Sequence, residues 1–344
     1  MGDKPVSDLT SMSALAQEAA KLFGVRPDQI VLPEWQGWWS QIVFVGDNAV
    51  LKVHKEPEGD PDPLPYESFL LEQKVLKALK GKSLGVSVPD LLFTGEQYYG
   101  MTRLSGIPLK SAGGLEGDKF LHQAGILSQG DWFIDRIATF IVEFDSVIAQ
   151  SGVVPKHRSP KLASDPLTCF PAFAEDIRPL VEAAVKTEQN ASLVRSRFTH
   201  ADLSIMNILI EEAPLPEQRG IGIVDFGLVY YTNPNHQFGA LLPFLGFEKC
   251  MTLIERVNTL SRERGDCFNL DPVQILAHQT AGLAHMVSEP ENMNDGRLLA
   301  IETFIGKLQS WIPQLGLAWG EDALKKVRFR TSQNPDSPIA QPVW

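Results

Sequence analysis

Two segments decide the fold, and they read His200-Ala-Asp202-Leu-Ser-Ile-Met-Asn207 and Ile223-Val-Asp225-Phe-Gly227. Asp202 and Asn207 stand just before the short apolar run 208–210, and Asp225 follows a second apolar run. Gly227 can adopt the backbone angles that a tight exit from a strand needs. Two apolar runs joined by a turn form a β-hairpin, which places the loops at its ends side by side. The pattern therefore predicts that two carboxylates and one amide oxygen converge on one point.

Phosphoryl transfer requires this set of side chains. One carboxylate orients or deprotonates the acceptor hydroxyl, while a second carboxylate and an amide oxygen hold Mg²⁺ against a nucleoside triphosphate. We therefore predict Asp202 as the catalytic base, and Asn207 and Asp225 as metal ligands. His200 is predicted to orient the loop backbone. Each of these residues taken alone could also be a capped or solvated loop position.

A cation for the nucleotide phosphates is predicted upstream, in the segment Val50-Leu-Lys52-Val53. A lysine inside an apolar strand is costly to bury unless it is paired. Glu72, on a helix predicted over 66–80, is the expected partner, and Glu67 on the same helix is the second choice. The alternative is a lysine on an exposed strand face.

The other nucleotide contacts are predicted from position alone. Gly37 and Ser40 lie between two strand candidates, where backbone amides could cover the phosphates. The sequence has neither a Gly-x-Gly-x-x-Gly motif nor a Walker A motif. Met101, Arg103 and Leu104 belong to a connector whose backbone could contact adenine. A plain edge strand is the alternative interpretation of this connector.

Composition limits the partners and the compartment. The chain has 344 residues with a net charge of −11 and a pI near 5.2, which argues against nucleic acid or an anionic membrane as the main partner. Three widely spaced cysteines fit a reducing compartment and not a disulfide framework or a zinc site. The N-terminal residues do not resemble a signal peptide, and no apolar run approaches membrane-spanning length. We expect a cytoplasmic protein that acts without a membrane.

The order of the predicted elements indicates an α+β fold with two lobes. Residues 1–104 read as a nucleotide-binding lobe with an N-terminal helix over 7–23 and one helix beside a small antiparallel sheet. Its strands are predicted at 39–45, 49–53, 91–94 and 98–104. Residues 105–330 read as a mainly helical catalytic and substrate lobe, with helices that include 132–149 and 172–185, and residues 331–344 as a polar tail.

This order of elements resembles the aminoglycoside phosphotransferase and choline kinase family, which has a protein-kinase-like fold. The family's His-Gly-Asp-x-x-x-x-Asn loop matches His-Ala-Asp-Leu-Ser-Ile-Met-Asn here, and its Ile-Asp-[Trp or Phe] segment matches Val-Asp-Phe-Gly. Val88-Pro89 and Gly106-Ile-Pro-Leu109 also match family segments. The resemblance covers about residues 35–245 and implies a kinase that uses ATP or GTP with Mg²⁺. It assigns the roles given above to Lys52, Glu72, Asp202, Asn207 and Asp225.

Three departures from the family pattern stand out. Ala201 replaces a glycine, Glu143-Phe-Asp145 stands where Leu-His is frequent, and His236-Gln-Phe238 stands where an aspartate often follows. The last two bear on the acceptor site and not on the predicted base or metal ligands. The resemblance implies that the phosphate acceptor is a hydroxyl group of a small molecule. Two biological roles fit this chemistry, namely inactivation of an antibiotic and metabolic phosphorylation of an amino alcohol or sugar.

Other classes remain as alternatives. Asp225-Phe-Gly227 also occurs in protein kinases, but the chain lacks His-Arg-Asp, a glycine loop and Ala-Pro-Glu. A catalytically inactive nucleotide-binding regulator is the other alternative, although it would not need a base beside its metal ligands. Acidic side chains of the helical lobe are candidates for binding a cationic acceptor, or are ordinary solvated positions: Asp131, Asp135, Glu175, Asp176, Glu289 and Glu291.

Overall fold

The structure is a computed structural model that describes residues 12–33, 40–55, 63–109, 131–156, 175, 177–190, 195–211, 213, 218–238, 241–287, 295–317 and 320. Gly37, Asp176, Glu289, Glu291 and the predicted tail 331–344 lie outside these residues. Among the described residues, no helix combines the length and the apolar character needed to span a membrane.

A five-stranded antiparallel sheet forms the N-terminal part, in the order β1-β2-β3-β5-β4. Its strands are β1 (Ile30–Val31), β2 (Ser40–Val45), β3 (Ala49–His54), β4 (Leu91–Phe93) and β5 (Tyr98–Thr102). Two helices accompany the sheet, α1 (Met12–Phe23) and α2 (Pro63–Leu79). The predicted β2–β3 hairpin is confirmed, and Gly46 in its turn has a φ of 57°, which glycine adopts without steric cost.

Alternation along the strands gives this sheet two different faces. Val43, Leu51 and Val53 form one apolar cluster with α1, whereas Val50 and Tyr99 belong to the main core, which includes α2. Full burial of an apolar side chain such as that of Val50 stabilises the fold by roughly 1.5–3 kcal/mol. Lys52 lies on the same face as Val50, so its side chain points away from α1 and towards α2.

The C-terminal part is mainly helical, as predicted. Its helices are α3 (Trp132–Ser151), α4 (Arg178–Asn190), α5 (Leu241–Glu263), α6 (Pro272–Val287) and α7 (Asp295–Gln314). Short strands interrupt the helices: β6 (Ile107–Pro108), β7 (Arg197–His200), β8 (Ile208–Ile210), β9 (Ile221–Ile223) and β10 (Val229–Thr232). Strands β6, β8 and β9 form one small sheet, and β7 pairs with β10. A 3₁₀ helix follows β10 over Pro234–Phe238.

The predicted α+β class, with a small antiparallel sheet followed by a mainly helical part, is confirmed, and several element boundaries differ from the predictions. Helix α2 begins at Pro63, before the predicted start at residue 66, because proline is tolerated in the first turn of a helix. Helix α4 begins at Arg178 and ends at Asn190, beyond the predicted end at Val185. The prediction ended too early because the last residues of the helix are polar and lack the apolar spacing on which it was based. The start of the predicted helical lobe, residues 105–109, contains β6, which pairs with β8. The lobe boundary at residue 104 stays a prediction.

Candidate active site

The hairpin predicted from the sequence brings the two chemically rich loops together. Strands β8 and β9 pair antiparallel with Ile208 opposite Ile223, and the backbone N–H of Val224 donates to the carbonyl of Asn207 at 3.0 Å. This register places the end of the first loop beside the start of the second. Asn207 and Asp225 therefore lie on neighbouring backbone positions at the same end of the hairpin.

Asn207 holds the predicted base in place. Its Nδ2 donates to the backbone oxygen of Asp202 at 2.9 Å and to the carboxylate Oδ2 of Asp202 at 2.8 Å. These two bonds use both amide protons, which leaves the amide oxygen as the atom that can accept a cation. Burial and the nearby charge of Asp225 raise the pKa of Asp202, and the hydrogen bond from Asn207 partly opposes this rise. A raised pKa makes this carboxylate a stronger proton acceptor while it is ionised.

Lys52 contacts two carboxylates from distant parts of the chain. Its Nζ lies 2.6 Å from Oε2 of Glu72 and 2.8 Å from Oδ1 of Asp225. The Lys52 and Glu72 side chains are 10% and 1% exposed, whereas that of Asp225 is 48% exposed. Burial lowers the pKa of Lys52, but Asp225 and Glu72 together raise it above its ordinary value. Lys52 is therefore a fixed cation, and its partner is Glu72, as predicted, and not Glu67.

Glu72 also connects α2 to the segment that carries Asp225. Its Oε1 accepts the backbone N–H of Phe226 at 3.1 Å. The position of α2 is fixed nearby, because the Gln73 amide exchanges two hydrogen bonds with the backbone of Gly95. Burial raises the pKa of Glu72, and Lys52 opposes this rise. One carboxylate thus orients both the lysine and the backbone beside the predicted metal ligand.

Asp225 adopts an uncommon backbone conformation, with a φ of 65°. Residues other than glycine seldom adopt such angles, and cases held in place by their surroundings cluster at functional sites. Burial opposes ionisation of Asp225, but Lys52 lowers the pKa of this carboxyl below its ordinary value. The preceding strand and the buried ring of Phe226 hold Asp225 with an ionised, half-exposed carboxylate.

His200 is fully buried at the end of β7, as expected for an orienting residue. Its Nε2 lies 3.3 Å from the carbonyl oxygen of Val224, and its ring packs edge-on against Phe226 with centroids 4.9 Å apart. Burial lowers the pKa of His200, which favours the neutral ring. The histidine therefore links the loop of Asp202 to the segment of Asp225 without being exposed to a substrate.

The predicted nucleotide contacts are only partly brought together. Ser40 is buried at the start of β2 opposite His54, and Met101 is buried in β5. The backbone N–H of Arg103 donates to Asn48 at 2.8 Å, and its guanidinium lies over the ring of Phe44 at 4.1 Å. The side chain of Leu104 lies against Gly222. The Arg103 N–H is therefore occupied, and the roles of these residues stay predictions.

Two contributors to the site were not predicted. Tyr99, opposite Lys52 in the β3–β5 register, is fully buried near Glu72, and burial together with Glu72 raises its pKa. Strand alternation from Met101 would have identified this position. Arg197 at the start of β7 pairs with Asp145 at 3.3 Å and with Asp266 through its two terminal guanidinium nitrogens, Nη1 and Nη2. This buried arginine anchors the strand that ends in His200.

The acidic residues considered for a cationic acceptor are engaged with neighbouring cations where the structure describes them. Asp131 contacts Lys249 at 3.3 Å, Asp135 contacts Arg256 at 2.8 Å, and Glu175 contacts Arg178 at 2.8 Å. Exposed pairs of this kind contribute little to stability. They also reduce the local negative charge, so these three residues are weak candidates for an acceptor site.

Comparison with known proteins identifies the fold. Neither a protein-family model nor a curated protein sequence matches the chain. Among solved structures, a GDP complex of a mutant aminoglycoside 2′-phosphotransferase IIIa has a TM-score of 0.55 and 14% identity, covering 92% of this chain and 96% of its own. A GDP and kanamycin complex of APH(2″)-IIIa has a TM-score of 0.54 and 14% identity, covering 87% and 91%.

A macrolide 2′-phosphotransferase from Brachybacterium faecium has a TM-score of 0.50 and 15% identity, covering 93% of this chain and 99% of its own. Likeness at this level of identity shows the fold. The chain therefore has the kinase-like fold of aminoglycoside and macrolide phosphotransferases, in agreement with the resemblance noted from its motifs.

Proposed function

We propose that this protein is a phosphotransferase that moves the γ-phosphate of ATP or GTP to a hydroxyl group of a small molecule. The observation that carries the proposal is the pair of contacts made by Lys52, with Glu72 at 2.6 Å and Asp225 at 2.8 Å. One ammonium group and two carboxylates are held together here, and the Asp202 carboxylate, the third, is held by Asn207, whose backbone bonds to Val224 next to Asp225. The cytoplasm, where both nucleotides are available, is the proposed location.

The residues present fit a magnesium ion. Mg²⁺ prefers oxygen ligands and is commonly bound by one or two protein groups together with substrate phosphates. Asp225 offers a half-exposed, ionised carboxylate, and Asn207 offers its amide oxygen, which takes no part in the hydrogen bonds to Asp202. When bound, Mg²⁺ would neutralise charge on the nucleotide phosphates and on the group in transfer.

The side chains of the chain itself have distinct roles in the proposed reaction. Asp202, held by Asn207, accepts or orients the proton of the acceptor hydroxyl. Lys52 presents a fixed positive charge to the nucleotide phosphates, and Glu72 keeps its ammonium group in position. His200 holds the two loops at a constant separation. Positioning and charge stabilisation are the main sources of catalysis in phosphoryl transfer, which suits this rigid, mostly buried arrangement.

A small-molecule acceptor is supported over a protein acceptor. The sequence lacks the Ala-Pro-Glu segment of protein kinases, and β10 with the 3₁₀ helix 234–238 follows Gly227 within a few residues. The structural neighbours are named as aminoglycoside and macrolide phosphotransferases. We infer an acceptor that carries both hydroxyl and amino groups, in keeping with the net charge of −11. An amino-alcohol or sugar kinase of the same fold is the second candidate.

Acceptor-dependent nucleotide consumption tests the proposal. The purified chain is incubated with MgATP or MgGTP and a panel of aminoglycosides, macrolides, amino alcohols and neutral sugars. We expect at least one amine-bearing acceptor to stimulate consumption, and Asp202→Asn to reduce kcat by about 10²–10⁴-fold with little effect on nucleotide KM. Asp131→Asn, at an exposed ion pair, is the control and should retain wild-type turnover. Equal turnover by wild type and Asp202→Asn would remove Asp202 as the base.

A further inference from the structure

A second group of potential ligands lies apart from the proposed active-site residues, where α4, α6 and the 3₁₀ helix 234–238 pack together. Oε1 of Glu188 lies 2.7 Å from Nδ1 of His278 and 3.1 Å from Nε2 of His236. These three ligand atoms all lie within 4.8 Å of one another. No other trio of histidine, cysteine or acidic side chains with this spacing occurs in the part of the chain that the structure describes.

We propose that Glu188, His236 and His278 form a binding site for a divalent first-row transition metal ion, with Zn²⁺ as the best match. Two imidazoles and one carboxylate are a ligand set that Zn²⁺ uses, whereas Mg²⁺ and Ca²⁺ prefer oxygen ligands throughout. The expectation that the three cysteines form no zinc site is separate from this proposal, because none of the three ligands is a cysteine. It does not depend on the proposed phosphotransferase activity.

The spacing of the ligand atoms agrees with such a site. Zinc bonds of 2.0–2.2 Å in a tetrahedron place neighbouring ligand atoms on the order of 3.3 Å apart. The two separations from Glu188, 3.1 and 2.7 Å, are shorter than this value, so these atoms would move apart when the metal binds. Ligands must also be free of protons. In the metal-free form the two histidines contact Glu188 through ring N–H groups, and the metal would displace those protons.

The hydroxyl group of Thr232 can form a hydrogen bond with the second ring nitrogen of His236 in either tautomer of the ring. Nδ1 of His236 lies 3.2 Å from Oγ1 of Thr232 at the end of β10. Without a metal, Nε2–H can donate to Glu188 while the threonine hydroxyl donates to Nδ1. With a metal on Nε2, the proton moves to Nδ1 and the hydroxyl accepts it. Metal-bound histidines ordinarily have a partner of this kind on their second nitrogen.

The two imidazole rings must separate when the metal binds. His236 and His278 are stacked, with centroids 3.8 Å apart and an angle of 14° between their planes. Nitrogen lone pairs lie in the ring plane, so two parallel rings cannot direct theirs at one ion. The side chains are 16% and 26% exposed, which leaves solvent on one side for a ring to tilt into and for water as a fourth ligand. We therefore expect that the rings of His236 and His278 are no longer stacked in the metal-bound form.

The surrounding backbone is held together independently of the three ligands. Nε2 of Gln274 donates to the carbonyl of Thr187 at 3.4 Å, which connects α6 to α4. Oδ1 of Asn235 accepts the N–H of Asp271 at 3.1 Å, which connects the 3₁₀ helix to the start of α6. A bound ion would add a third connection. Because the 3₁₀ helix follows β10, and β10 pairs with β7, the ion would stabilise the helical part of the fold near the loop of Asp202.

Metal titration of the full chain tests this site. The protein is freed of metal with a chelator and kept in excess Mg²⁺, and it carries Cys267→Ser, which removes a thiol that is exposed in the described part of the chain. We expect one equivalent of Zn²⁺ to bind, to raise the melting temperature, and to displace Co²⁺ that shows the intense visible absorption of a low-coordinate site. Binding should weaken at least tenfold in Glu188→Gln and in His278→Gln.

Glu182→Gln is the matched control, because Glu182 is an exposed residue of the same helix and the charge change is identical. It should bind Zn²⁺ as the wild type does. Glu188→Gln has a side chain of the same shape and retains a hydrogen-bond acceptor. Its Zn²⁺ affinity therefore tests the site even if His278→Gln fails to fold. Absence of stoichiometric binding, or equal Zn²⁺ affinity of the wild type and Glu188→Gln, would overturn the proposal and leave a hydrogen-bonded structural cluster.

Discussion

Replacement of Glu72 by glutamine tests the Lys52 contacts on which the proposed function depends. Glu72→Gln conserves the shape of the side chain and an oxygen that can accept the Phe226 N–H, which lies 3.1 Å from Oε1. It removes the negative charge 2.6 Å from Nζ of Lys52. Lys52 keeps one carboxylate partner, Asp225, whose side chain is half exposed. The substitution therefore isolates the buried half of the ion pair.

The contacts set the expected size of the effect. Loss of one charge-assisted hydrogen bond should lower the free energy of unfolding by about 1.5–3 kcal/mol. Glu72→Ala also leaves the buried Phe226 N–H without a partner and opens a cavity, so it should cost about 3–5 kcal/mol. In a Lys52→Met background, Glu72→Gln should cost almost nothing or stabilise, because an unpaired buried carboxylate is then removed. The expected coupling energy exceeds about 1 kcal/mol.

Urea unfolding of the four proteins in this double-mutant cycle measures the coupling. Glu67→Gln on the same helix is the control, since Glu67 is exposed and its replacement should shift stability by less than about 0.5 kcal/mol. Nucleotide KM is measured in parallel and should rise in Glu72→Gln, because the ammonium group loses its fixed position. A Glu72→Gln effect within about 0.5 kcal/mol of zero, or equal in both backgrounds, would refute the reasoning.

Three further predictions follow from the geometry of the site. Because burial raises the pKa of Asp202, kcat/KM should fall on acidification at a pH above the ordinary carboxyl range, as measured in a pH–rate profile. Arg197→Met should lower the free energy of unfolding by about 3–5 kcal/mol in urea, because Asp145 stays buried without its cation. Gly106→Ala should lower it by about 1–3 kcal/mol, because φ is 106° and an added Cβ would lie 2.7 Å from the Ile210 carbonyl oxygen.

Each of these predictions has a contrary outcome. An acidic limb at the pH of an ordinary carboxyl group would contradict the environment assigned to Asp202. Arg195→Met, at a mostly exposed arginine near Asp266, should be almost neutral, and an equal loss in Arg195→Met and Arg197→Met would remove the special role of the buried arginine. Wild-type stability of Gly106→Ala would show that the chain relaxes at this turn.

The local features of the site were predictable from the sequence. Apolar runs on both sides of a turn predicted the β8–β9 hairpin, and the hairpin alone accounts for the proximity of Asn207 and Asp225. A single charged residue in an apolar strand predicted a buried, paired Lys52. In each case the pattern and the contact lie within one or two adjacent elements, where strand alternation and helix spacing determine which side chains meet.

Contacts between distant segments could not be predicted in this way. Lys52 and Asp225 are 173 residues apart, and the cluster at Glu188 joins two helices and a 3₁₀ turn that no local pattern relates. Helix α4 extends past its last apolar residue to Asn190, and this polar end contains Glu188, which contacts histidines from two other elements. The acceptor is also unpredicted, because its recognition depends on side chains that the catalytic motifs do not specify.

Identification of the phosphorylated product tests the central claim most directly. The chain is incubated with Mg²⁺ and ATP or GTP carrying an isotopic label in the γ-phosphate, and each acceptor is recovered and analysed by mass spectrometry. Our account predicts a singly phosphorylated small molecule that carries the label, formed by the wild type and nearly absent with Asp202→Asn. Label found only in inorganic phosphate or on protein, for every acceptor and both nucleotides, would contradict it.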